Sequence, residues 1–141
     1  EWSRYFLQGK FVQMRLWVLR SAGLGVLGCV ALALVMSVVL PDVLRLWLGR
    51  PTFMVPLTTI LCFSGYLAIR VWTDTHAIAL MSANQTRWLM FTVLLQVLVT
   101  LPAEVILGRA FGANGIVGGL IVGFLLTATW MLPYRFYQQR L

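Results

Sequence analysis

The sequence predicts an all-α membrane protein: four transmembrane helices in an antiparallel bundle, preceded by a basic interfacial helix. Three observations carry that prediction. The 141 residues are 60% hydrophobic and only 11% charged, with a mean hydropathy of +0.87, whereas soluble domains carry about 25% charge. The apolar residues fall into long uncharged runs, each able to span a hydrocarbon core of roughly 30 Å as a helix. Between those runs lie the turn residues, charges and aromatics of membrane interfaces.

Residues 1–20 mix Trp2, Tyr5, Phe6, Phe11, Leu16 and Trp17 with Arg4, Lys10, Arg15 and Arg20. This pattern predicts a cytoplasmic interfacial helix that runs into the first span. Residues 21–141 hold the bundle, with spans at about 21–40, 52–69, 88–107 and 115–132. In the first span Ser21, Gly25, Cys29, Ala33 and Ser37 repeat every fourth residue and mark one face for close helix packing. Pro41 is expected to end that span, and Gly49 to close a short outer turn holding Asp42, Arg45 and Trp47. Asp42 and Arg45 read as a solvated pair at the outer interface.

The second span starts near Pro56, where a missing N–H costs little. It ends at Arg70, and residues 70–87 are expected to form a loop with a helical piece. That loop contains His76, which reads as a solvated residue ahead of a proton relay, and a glycosylation sequon at Asn84. In the third span Thr92, Gln96, Thr100 and Glu104 share one face. Two readings stay open: the face lines a polar transport pathway, or, the favoured one, it hydrogen-bonds to neighbouring helices. The fourth span repeats Gly115, Gly119 and Gly123, a doubled GxxxG packing motif.

The basic residues fix an orientation. Arg4, Lys10, Arg15, Arg20, Arg70, Arg87, Arg135 and Arg140 fall on one side of the four spans, and Arg45, Arg50 and Arg109 on the other. The positive-inside rule then puts both ends of the chain in the cytoplasm. The formal charge of +7 is thereby read as topology, not as a nucleic-acid surface. Cys29 and Cys62 lie inside apolar runs without ligand spacing and read as packing residues. One histidine cannot build a zinc cluster or a nucleophilic triad, and no phosphate-binding loop is present. No cofactor or metal is expected, and the chain reads as a non-enzyme. Its start at Glu1, with a first apolar run too long for a signal peptide and without a cleavage site, suggests a fragment of a longer protein.

The stretch Leu40-Pro41-Asp42-Val43-Leu44-Arg45-Leu46-Trp47-Leu48-Gly49 resembles the segment after the ninth helix in bacterial polysaccharide flippases of the Wzx type. These belong to the multidrug/oligosaccharidyl-lipid/polysaccharide exporter superfamily. The run Phe111-Gly112-Ala113-Asn114-Gly115-Ile116-Val117-Gly118 is similar to that family's opening of the twelfth helix. The connection Ser82-Ala83-Asn84-Gln85 departs from it by lacking a glycine. The resemblance implies helices nine to twelve of a two-lobed inner-membrane protein working by alternating access. Its partners would be membrane lipid, a lipid-linked glycan (the O-antigen precursor of lipopolysaccharide, for instance) and the remaining helices of the transporter. Other readings are a drug exporter of the same superfamily, a stand-alone membrane scaffold or accessory protein, and part of a membrane enzyme of glycan synthesis.

Overall fold

A computed structural model describes Gln8, residues 10–49 and residues 56–138. Within these residues the chain is helical throughout, with no strand: α1 (Phe11–Leu48), α2 (Leu57–Ser82), α3 (Thr86–Phe111), α4 (Ala113–Leu126) and α5 (Ala128–Gln138). Trp2, Arg4, Tyr5, Phe6, Arg50, Thr52 and Arg140 lie outside the described residues.

The first correction concerns Pro41. Helix α1 passes through it and stops only at Gly49, whose φ of 60° is the left-handed conformation that glycine adopts without a Cβ penalty. Pro41 removes one backbone donor, a loss that long apolar helices tolerate. The charges at Arg20, Asp42 and Arg45 interrupt the hydropathy but not the backbone. With 38 residues, α1 is roughly 57 Å long at 1.5 Å per residue, well over the thickness of a hydrocarbon core of roughly 30 Å. Asp42 and Arg45 make an exposed ion pair of 3.3 Å on its last turns, within the helix and not in a loop.

The second correction is the expected loop at residues 70–87. Helix α2 continues to Ser82, leaving only Ala83, Asn84 and Gln85 as the turn. Arg70 and Asp74, four residues apart on the helix surface, pair at 2.9 Å and satisfy one another there. Asn84 takes a φ of 57°, a conformation asparagine tolerates better than most residues. Pro56 sits at the N-cap of α2, where it has no helical bond to lose.

The last span is broken. Thr127, with φ −123° and ψ −88°, separates α4 from α5. Its hydroxyl donates to the Gly123 carbonyl at 2.6 Å, taking the acceptor that its own amide would use in a continuous helix. The amide turns to Phe124 O at 3.3 Å instead. Six residues on, Pro133 cannot donate to Thr129 O, its expected helical acceptor. The Trp72 indole N–H of α2 reaches that carbonyl at 3.4 Å. A neighbouring helix thus covers the acceptor that the proline strands.

In space α1 lies beside α2, α2 beside α4 and α5, and these two beside α3; α2 and α3 touch one another little. α1, α3 and the α4–α5 pair are each long and apolar enough to cross a membrane. The described part of α2 is less apolar because Arg70 and Asp74 fall inside it. The buried core sits at the end of the bundle that holds the α2–α3 turn. Met14 and Val18 of α1, Ala79 and Leu80 of α2, and Ala128, Leu132 and Phe136 of α5 meet there. Further along, α1 exposes Leu34, Val38 and Leu46 to 66%, 73% and 88%. Such a surface suits lipid or other helices as neighbours, not water.

Candidate functional site

The third-span face and the fourth-span glycines form one antiparallel seam. Thr92 and Thr100 of α3 are buried, while Gln96 and Glu104 are half-buried. The Thr92 hydroxyl donates to Trp88 O at 3.0 Å within its own helix. Thr100 turns its hydroxyl onto Gly123 of α4, and that Oγ1 is buried without a hydrogen-bond partner. A Cβ built on Gly119 would lie 2.5 Å from Glu104 N, and one on Gly115 would fall on the Leu107 carbonyl. The helices therefore meet backbone to backbone, which only glycine at these positions permits.

The same register sets Gln96 level with Thr127, at the break between α4 and α5. Gln96 and Glu104 have no side-chain hydrogen-bond partner among the described residues. Glu104 borders an open recess of about 380 Å³ with Val105, Gly108, Arg109 and Ile116. The seam brings Thr100 and Glu104 onto the glycine helix, and Glu104 lines the recess.

The small-residue stripe of the first span forms the half-buried side of α1, facing α2. Ser21, Gly25, Cys29, Ala33 and Ser37 all lie on it. The contact is tightest at Gly25, where an added Cβ would stand 2.5 Å from Val71 Cγ1. Toward Leu40 the two helices leave an apolar groove of about 370 Å³ between them, lined by Cys29, Ala33, Met36, Ile60 and Phe63 among others. Cys29 and Cys62 are both free thiols.

His76 requires a further correction. It is fully buried, not a solvated loop residue, because α2 continues through it into the core. Its ring packs against Trp72, Phe136 and Tyr137. Nδ1 lies 2.8 Å from Trp72 O, which assigns the proton to Nδ1 and leaves Nε2 a buried acceptor without a donor. Burial pushes its pKa below 6.5, partly offset by the Trp72 carbonyl. The sequence carries a trace of this arrangement: Trp72 and His76 sit four apart, on one helix face.

A second unpredicted cluster lies at the same end. The Arg135 guanidinium stacks over the Trp88 ring at 5.3 Å, and its Nη2 donates to Gln85 Oε1 at 3.5 Å. No three His, Cys, Asp or Glu side chains gather as metal ligands would among the described residues.

No family model matches the chain, and no solved structure matches it. It is 37% identical over 84 residues, 60% of this chain and 19% of the relative, to a "Putative O-antigen export protein" of Yersinia pseudotuberculosis. It is 33% identical over 84 residues to a "Putative O-antigen transporter" of Salmonella typhimurium, 60% of this chain and 20% of the relative. A protein of the same name from Salmonella typhi is 40% identical over 76 residues, 53% of this chain and 18% of the relative. The chain is thus a membrane protein with relatives named for O-antigen export, and it spans about a fifth of their length.

Proposed function

We propose that this chain forms part of a transporter that carries lipid-linked O-antigen precursor across the bacterial cytoplasmic membrane by alternating access. The single observation that carries the reading is the 33–40% identity to proteins named for O-antigen export. The physical character of the helices supports it, since α1 and α3 offer long apolar faces to lipid or neighbouring helices.

Within that protein the chain serves as a packed wall. The glycine seam of α3 and α4 lets the two move as one body when the transporter changes state. Gln96, half-buried beside the helix break, and Glu104, in its open recess, are the residues most able to meet a hydrated cargo. Thr92 and Thr100 hold the seam. Both ends of the chain face the cytoplasm in this proposal, on the distribution of arginines.

The test is genetic complementation. A bacterium lacking its O-antigen exporter receives the full gene encoding this chain, and surface O-antigen is measured by immunoblot. The proposal predicts restored long-chain O-antigen. An intact, membrane-inserted protein that restores none in any O-antigen background would reject it.

A further inference from the structure

At the end of the bundle shared by the α2–α3 turn and the last turns of α5, several donors lack acceptors. Arg135 Nε and Trp88 Nε1 are both buried without a hydrogen-bond partner. The two groups belong to side chains stacked on one another, so both orphan donors lie in one place. The contact from Arg135 Nη2 to Gln85 Oε1, at 3.5 Å, stands at the outer limit of a hydrogen bond and satisfies little. Among the described residues no carboxylate compensates the charge: the ion pairs there are Asp42 with Arg45 and Asp74 with Arg70.

Local structure adds to the same field. Helix α3 begins at Thr86 with no side-chain cap and no acid in its first turn. Its leading amides have no intrahelical acceptor, and its dipole places partial positive charge beside Gln85. Arg87 follows on that turn, exposed. An arginine fork and an indole N–H lie together, beside the residue that precedes the uncapped first turn of α3, and each of these groups is a donor. Buried donors left without acceptors are costly, and a charged acceptor relieves them most.

We propose that Arg135, Trp88 and the first turn of α3 bind the phosphate of an anionic lipid headgroup in the leaflet at this end of the bundle. The half-buried Arg135 side chain swings off Gln85, and a phosphate oxygen then accepts from Nε and from the indole. Trp88 serves twice, as the platform under the guanidinium and as a donor. Trp130 and Tyr134, exposed on α5 close by, fit the depth of a headgroup layer. The site is separate from the α3–α4 seam and does not depend on what the transporter carries.

The purified protein in neutral detergent is titrated with dioctanoyl-phosphatidylglycerol, dioctanoyl-phosphatidylcholine and inorganic phosphate, and bound lipid is counted by native mass spectrometry. Saturable binding of phosphatidylglycerol over phosphatidylcholine is expected. Arg135→Gln should weaken it roughly tenfold, the scale of a lost charge-assisted hydrogen bond. Trp88→Phe keeps the platform and removes only the donor, and should weaken binding about threefold to fivefold. Arg135→Lys, which keeps charge but loses the fork, should fall between wild type and Arg135→Gln. Arg45→Gln, near the far end of α1, should change nothing. Competition by inorganic phosphate identifies a general phosphate site, and its failure a site that also needs the lipid glycerol and chains. Equal binding of the two lipids by wild type would overturn the proposal. So would unchanged affinity in Trp88→Phe and Arg135→Lys, two variants that remain informative if Arg135→Gln does not fold.

Discussion

Replacing Gly119 with alanine tests the seam where the structure is least forgiving. The added Cβ would stand 2.5 Å from Glu104 N, 2.6 Å from Glu104 Cα and 2.8 Å from Ala103 C, all backbone atoms that cannot rotate aside. Favourable non-bonded contacts lie at about 3.5–4.0 Å, so α4 must retreat from α3 by about 1 Å, and a gap of that size forfeits about half of each affected contact's attraction. Overpacking of this kind costs about 1–3 kcal/mol, and Gly119→Leu should exceed it. Reversible unfolding in mixed micelles, followed by tryptophan fluorescence, measures the loss. Gly23→Ala and Gly28→Ala serve as controls, because no atom stands within 4 Å of either new Cβ. They should be neutral or mildly stabilising, since alanine is the better helix former. If Gly119→Ala matched these controls, the backbone contact between α3 and α4 would not exist as described.

Three further outcomes follow from other parts of the bundle. His76 has a pKa below its unfolded value of 6.5, so the unfolded chain takes up the proton first as pH falls. Its contribution to stability is complete above pH 6.5, declines below it and is gone under the folded pKa; His76→Phe should flatten that slope in melts between pH 5 and 7, and a parallel slope would refute it. Trp72→Phe removes the long, 3.4 Å contact to Thr129 O and should cost about 0.5 kcal/mol, the low end for a hydrogen bond. In a Pro133→Ala background the restored amide can serve that carbonyl, so the same substitution should cost less; equal costs in the two backgrounds would break the link. Gln96→Leu should lower O-antigen export at unchanged protein level if Gln96 meets cargo, and normal export would assign it to packing alone.

The class of fold is legible because hydropathy is a summed property, insensitive to where a helix ends. Helix ends are local, and there the sequence misled. Arg20, Asp42 and Arg45 look like the borders of a span, yet a helix continues through charged residues wherever it projects beyond the hydrocarbon. Pro41 reads as a terminator because in water a lost backbone bond and a ring clash usually stop a helix. Arg70 and Asp74 suggest a loop singly; four apart on one helix, they answer each other.

The site divides in the same way. Four-residue spacing puts Thr92, Gln96, Thr100 and Glu104 on one face without saying what lies opposite. Only the antiparallel register supplies Gly123 beside Thr100 and Gly119 beside Glu104. The burial of His76 depends on α5 returning to α2 after the break at Thr127. Nothing local to Thr127 announces that break, since its hydroxyl could equally bond back inside an intact helix. The Arg135 cluster joins residues 50 positions apart, beyond the reach of any periodicity.

Movement of the cargo itself is the most direct test of the proposed transport. The full-length protein is placed in sealed vesicles with a fluorescent lipid-linked O-antigen unit, and an external quencher reports how much has changed leaflet. Leaflet exchange faster than in protein-free vesicles is expected, specific for the lipid-linked glycan over a phospholipid of equal chain length. Exchange at the protein-free rate, from protein shown to be folded, would contradict it.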